Sequence, residues 1–143
     1  MQALDQSPQA LFFYFVSCAT ALLGCTIDIV KLRNPNTSYC EIKYYDKDSD
    51  LYQMIFELEI DKAIISCYFN EDNICDTCVL YPDNLDNLPF YTKLSHILFQ
   101  YNTTTRSWTL PTARMMQIET DGEISIMFFL PYPIVSNLLN AKI

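Results

Sequence analysis

Residues 39 to 60 read YCEIKYYDKDSDLYQMIFELEI, and the parsing of this stretch decides the fold. On one parsing, Asp46, Asp48, Asp50 and Glu57 have the ligand spacing of a twelve-residue calcium loop. On the other, DKDSD is the turn between two strands. A calcium loop needs Gly where Leu51 stands and a helix on either side. Here Cys40, Ile42 and Tyr44 alternate with Glu41 and Lys43, and Tyr52, Met54, Phe56, Leu58 and Ile60 alternate with Gln53, Glu57 and Glu59. Alternation at period two marks a half-buried strand. The three aspartates therefore read as turn formers and solubilising charges, and the stretch reads as a hairpin of an antiparallel sheet.

The same period extends outward in both directions. CTIDIVKL at 25 to 32 sets Ile27 and Ile29 against Thr26 and Asp28 and is predicted as the preceding strand. AIISCYF at 63 to 69 is a fourth, and CVLYP at 78 to 82 a short edge segment ended by Pro82. The expectation is an antiparallel meander of three to four strands.

Helical signals flank this meander. LFFYFVSCATALLGC at 11 to 25 has Ser7 as a candidate N-cap, Pro8 at the first helical position and Gly24 at the left-handed end. This N-terminal helix is apolar on nearly every face, so it lies deep in the core or partly in a dimer interface. The competing reading makes residues 1 to 24 a signal segment with a lipobox-like LLGC. The preceding MQALDQSPQ carries Asp5 and no cation, which argues against it. Within FYTKLSHILFQY at 90 to 101, Phe90, Leu94, Ile97, Leu98 and Tyr101 fall at helical spacing and are predicted to face the sheet, with Lys93, Ser95, His96 and Gln100 turned away.

ARMMQIETDGEISIMFFL at 113 to 130 reads as a second hairpin. A loop of Thr120, Asp121 and Gly122 with a bulge pairs Ile118 with Ile124 and Met116 with Ile126, and is preferred to a two-residue loop that mixes polar and apolar partners. IVSNLLNAKI after Pro133 is predicted as a short C-terminal helix. The fold class is thus α+β in a single domain spanning residues 1 to 143: N-terminal apolar helix, meander, amphipathic helix, bulged β-hairpin, short C-terminal helix. No internal repeat, linker or low-complexity tract is visible.

The chain has 143 residues, a formal charge of -8 and no basic cluster. Phosphate backbones are recognised by Lys and Arg, so nucleic acid is set aside as a partner, and membrane surfaces too unless the N-terminus is a signal. The acidity fits a cytoplasmic protein whose partner is a protein. A secreted or lipid-anchored protein is the alternative.

Six cysteines stand at 18, 25, 40, 67, 75 and 78. Cys75 and Cys78 form one C-x-x-C, and a structural zinc site needs a second ligand pair, which only Cys67 with Cys40 or His96 can supply. With no second motif, free or partly buried thiols are expected and no metal or other cofactor is assigned. His96 is the single histidine and lacks a nucleophile elbow, and two glycines leave no phosphate-binding loop. The expectation is that the chain is not an enzyme. Candidate partner-contacting residues are Phe12, Phe13 and Phe15 on the first helix, Trp108 and Leu110 before the hairpin, and Phe128 within it. For Trp108 and Leu110 core packing is the competing reading.

The run from LSHILFQYN through MQIETDGEISIMFFLPYP to IVSNLLNAKI, in a small acidic chain of this element order, resembles the class I chaperones of bacterial type III secretion. The resemblance implies a cytosolic homodimer that keeps a segment of its partner extended against apolar patches, without catalysis or nucleotide. ALLGCTIDIV and LYPDNLDNLPF also look like the helix-to-strand joint and Tyr-Pro turn of an RWD-like scaffold, which implies an adaptor subunit of a protein complex.

Overall fold

Eight strands pair into one antiparallel sheet in the order β1-β2-β3-β4-β8-β7-β6-β5, in a computed structural model that describes residues 7–33, 37–48 and 50–131. The strands are β1 (Thr37–Asp46), β2 (Leu51–Leu58), β3 (Ile64–Phe69), β4 (Cys75–Tyr81), β5 (Gln100–Asn102), β6 (Ser107–Thr109), β7 (Arg114–Thr120) and β8 (Glu123–Phe129). The helices are α1 (Pro8–Leu22), α2 (Ile27–Leu32) and α3 (Leu88–Leu98), the last entered through a 3-10 turn at Leu85–Asn87. The α+β class is as expected, with more strands than the sequence suggested. The C-terminal helix expected at residues 134 to 143 lies outside the described residues.

The chain is organised as two halves of one plan. Each is a helical segment, α1 and α2 in the first and α3 in the second, followed by four strands in up-and-down order, and β4 and β8, the last strand of each, pair antiparallel at the centre through Thr77–Phe129, Cys78–Phe128, Val79–Met127 and Leu80–Ile126. Across the first half, Met54 on β2 stands opposite Cys67 on β3, and Cys67 opposite Cys78 on β4. The row continues through Phe128 and Met115 to Trp108. All six side chains are buried, so this face is the floor of the core.

The first helix begins and ends as its caps dictate. The Ser7 hydroxyl accepts from the Ala10 amide at 3.3 Å, and Pro8 follows where its missing N–H is no loss. At the other end Gly24 has φ +83, and its amide donates to the Cys75 carbonyl while the Cys75 amide donates to that of Cys25. This pair of bonds clamps the helix end to the start of β4. Leu11, Phe12, Phe15, Ala19 and Leu22 of α1 are buried. The Ala19 carbonyl lies 4.0 Å from the Cys78 sulfur, which sets α1 over β4.

Four sequence expectations need correction. Residues 27 to 32 are helical, because the Thr26 hydroxyl caps the Ile29 amide and Asp28 and Lys31 sit favourably at the N- and C-terminal turns; six residues with Ile27 and Val30 three apart also fit a helix. Residues 75 to 81 form an interior strand, since their second partner, β8, is nearly fifty positions away and leaves no local trace. The second hairpin closes on two residues, Asp121 and Gly122, at φ 52 and 82, the primed-turn conformation that matches strand twist. Its Gln117–Ile126 and Ile118–Ser125 pairs tolerate the mixed partners because the Gln117 amide donates to the Thr92 hydroxyl of α3, which itself donates to the Leu88 carbonyl.

The fourth correction concerns α3. Its buried positions are Leu88, Tyr91 and Ser95, whereas Phe90, Ile97 and Leu98 are 39%, 68% and 45% exposed. The Tyr91 ring, packed against Phe12 and Phe15, takes the core side. The Ser95 hydroxyl is buried without penalty because it donates to the Tyr91 carbonyl at 2.8 Å. Of the residues expected to meet the sheet, Leu94 and Tyr101 pack against the core and Phe90, Ile97 and Leu98 are turned outward.

DKDSD is the β1–β2 turn, with Asp46 paired to Leu51 and Asp50 at φ 54. Beyond it, Tyr44 and Tyr52 stack across the strands at 4.6 Å. Asp61, in the β2–β3 turn, lies by the backbone amides of Asp83 and Asn84, which favour its ionised form, while its Oδ2 is buried without a hydrogen-bond partner. Burial raises its carboxyl above the usual carboxylate range despite those amides.

Candidate functional site

Two places in this frame stand out: a buried thiol cluster under α1 and the exposed apolar side of α3. The thiols come first because the backbone is distorted to assemble them. Cys67 and Cys78 face each other across β3 and β4, with sulfurs 3.5 Å apart. Cys75 is three residues before Cys78, a spacing that in a regular strand sends the two side chains to opposite faces. A register shift intervenes: Tyr68 pairs with Thr77, but Phe69 pairs with Cys75, leaving Asp76 as the extra residue. This bulge turns Cys75 back to the core face, where its sulfur is 3.6 Å from that of Cys78. All three sulfurs lie within 4.8 Å of one another, and all three residues are fully buried.

The cluster behaves as one titrating unit. Cys75 is the first to ionise, its thiol pushed down to about 5 by the S–H groups of Cys67 and Cys78, with the backbone amides of Thr77 and Tyr68 acting the same way and burial opposing. Cys67 and Cys78 are held well above the ordinary thiol value, since each would place a second charge beside the first in a dry site. Cys40, which sequence reasoning offered as a ligand, is exposed on β1. Among the described residues no further His, Cys, Asp or Glu joins the group.

His96 is likewise engaged elsewhere. Its Nδ1 accepts from the Trp108 indole N–H at 3.4 Å, and its ring packs edge-on against Tyr101 and Trp108 with centroids 4.9 and 5.2 Å away. That contact anchors α3 to β5 and β6.

Of the six residues expected to meet a partner, Phe12, Phe15, Trp108, Leu110 and Phe128 are at most 4% exposed and belong to the core. Their size and apolarity signalled burial, not recognition. Phe13 alone is accessible, at 44%. The accessible apolar group that sequence reasoning assigned to the core is the α3 stripe of Phe90, Ile97 and Leu98, with Leu94 half-buried between them. The charge pattern sharpens this surface. Residues 87 to 118, which include α3, β5, β6 and most of β7, contain no Asp or Glu although the whole chain has 17. They carry Lys93, Arg106 and Arg114.

No helix among the described residues is long and apolar enough to cross a membrane. No family model matches the chain, and neither a curated protein nor a solved structure is significantly similar to it.

Proposed function

We propose that this chain is a non-enzymatic protein-binding domain, a cytoplasmic adaptor or chaperone that works as a homodimer and pairs through the outer face of α3. The observation that carries the reading is the outward group Phe90, Ile97 and Leu98, spaced i, i+7 and i+8, with half-buried Leu94 joining it to the core, on a helix whose fully buried contacts are made by Leu88, Tyr91 and Ser95. A helical stripe of this kind is self-complementary about a two-fold axis.

Electrostatics favour a second copy at this place. Two chains of charge -8 repel across most of their surface, and like charges brought together oppose association. The acid-free α3 is where they meet without opposing carboxylates. Lys93, between Phe90 and Ile97, can lay its stem along the stripe and turn its ammonium toward the acidic surroundings.

The magnitudes set the strength of the pair. Burying the exposed parts of Phe90, Ile97 and Leu98 on both copies gains on the order of 5–9 kcal/mol, at roughly 1.5–3 kcal/mol per fully buried side chain. Association itself costs an estimated ~4–15 kcal/mol. The balance is a weak, concentration-dependent dimer, which suits a domain that exchanges partners. A homodimer is also what the resemblance to type III secretion chaperones implies.

Sedimentation velocity over a concentration series tests this. The wild type is expected to shift from monomer toward dimer as concentration rises, and Ile97→Asp to remain monomeric and folded. Leu32→Asp, which removes an even more exposed apolar group from α2, is expected to behave as wild type. A wild type that stays monomeric throughout, or that associates equally well as Ile97→Asp, overturns the reading.

A further inference from the structure

We propose that Cys67, Cys75 and Cys78 form a closed three-thiolate site for a soft, thiophilic metal ion, with Cu(I) preferred to Zn(II). The distances come first. Thiolates about 2.3 Å from a common ion stand roughly 3.8–4.0 Å apart in tetrahedral or trigonal arrangement. The 3.5 and 3.6 Å separations need to open by only a few tenths of an ångström.

The backbone supplies a second, independent argument. Buried cysteines behave as small apolar side chains, and a core without further purpose can place one wherever a methyl group fits. That account explains the facing pair Cys67 and Cys78. It does not explain a bulge at Asp76 in a strand with a partner on each side, whose effect is to bring a third sulfur onto the face that holds the other two. Bulges beside functional groups characteristically re-aim one side chain. Here the frame is also rigid: the Gly24–Cys75 and Cys75–Cys25 backbone bonds clamp the bulged end, and the Leu130 amide donates to the Asp76 carbonyl at 3.0 Å.

Ligand chemistry then selects the class of ion. The same face presents Met54 beside Cys67 and Phe128 beside Cys78 in the cross-strand row, so the surroundings are thioether and hydrocarbon. Hard, oxygen-seeking ions find no carboxylate in the group. Structural zinc takes four ligands, and among the described residues three are present. Thiolate and thioether donors in a dry site suit Cu(I). Thiol protons leave to solvent as the ion enters, so binding strengthens as pH rises.

Anaerobic titration of the full chain with Cu(I), and in a separate arm with Zn(II), tests the site. Native mass spectrometry is expected to show one bound Cu(I) and the ultraviolet spectrum a thiolate-to-Cu(I) charge-transfer band, with Zn(II) held more weakly. Cys18→Ser/Cys25→Ser/Cys40→Ser should retain the single equivalent. Cys67→Ala/Cys75→Ala should lose more affinity than the roughly 10–100-fold that removing an outer-sphere contact costs. Should that double variant fail to fold, alkylation of the Cys18/Cys25/Cys40 variant in mild denaturant decides, with all three remaining thiols modified in the metal-free chain and protected once Cu(I) is bound. The proposal is overturned by a wild type that takes up no single equivalent, by loss of binding in the Cys18/Cys25/Cys40 variant, or by two hydrogens missing from the reduced mass, which marks a disulfide instead. Tighter Zn(II) than Cu(I) overturns the stated preference.

Discussion

The two halves of the molecule share a plan and differ in almost everything built on it. The first has long strands, carries most of the acidic residues and holds every cysteine; its helix α1 is buried along one side against β4. In the second, β5 and β6 have only three residues each, α3, β5 and β6 are free of carboxylates, and α3 shows Phe90, Ile97 and Leu98 to solvent. Only the central strands, β4 and β8, are alike in length and burial. The lesson is that a common topology constrains the seam, where each half needs the other, and leaves the outer elements free to differ: here a buried cluster of three thiols in one half and an outward apolar stripe in the other.

If the seam is what makes the halves one body, breaking it should be the costliest change. Phe128, opposite Cys78 across β4 and β8, is fully buried. Phe128→Ala is expected to cost about 3–5 kcal/mol in urea unfolding, in a single cooperative transition. Two separate transitions would show that the halves fold independently.

Much of the first half was legible in the sequence. The alternation from Tyr52 to Ile60 located β2 and its buried face, DKDSD marked the turn, and Ser7, Pro8 and Gly24 gave the limits of α1, because each of these signals is local. The thiol cluster was legible only in part: Cys67 was a candidate beside Cys75 and Cys78, but their meeting without Cys40 or His96 was not foreseen. C-x-x-C announces two ligands, but the third comes from across the sheet, and the bulge that aligns them has no composition of its own. In the second half the pattern itself misled. Phe90, Leu94, Ile97 and Leu98 form the better apolar stripe, yet Tyr91 and Ser95 face inward, since Tyr91 packs on Phe12 and Phe15 and Ser95 satisfies its hydroxyl within its own helix. Period reveals an amphipathic helix; it does not say which neighbour the apolar side is for.

Two changes in the second hairpin sharpen that contrast at smaller energies. Gly122→Ala meets open space but must hold φ near 82, and is expected to cost about 1–2 kcal/mol in thermal unfolding. A neutral outcome would argue against the two-residue loop. Gln117→Ala removes the donor to Thr92 and should cost about 1 kcal/mol. Preserved stability there would show that the hydrogen bond does not hold α3 to β7.

The smallest expected effect is one of pH, and it belongs to the junction of the halves. Asp61 has a folded pKa above its unfolded one, so the folded state binds the proton more strongly. Its contribution is present at low pH and is lost as pH rises through the ordinary carboxylate range toward the raised value. Asp61→Asn keeps an acceptor beside the Asp83 and Asn84 amides and removes the titration. Its stability should therefore vary less over that range than the wild type's, as followed by thermal unfolding at a series of pH values. An identical pH dependence in the two proteins would contradict the assignment.

The division of labour rests most heavily on the outward face of α3. Mixed light and heavy isotope-labelled chains, treated with a short amine-reactive cross-linker and digested, report on it directly through Lys93, the exposed lysine in the middle of that helix. Lys93-to-Lys93 links between differently labelled copies are the predicted result. Inter-copy links confined to Lys31, Lys43 or Lys62, or none at all at concentrations where the chain is dimeric, would contradict it.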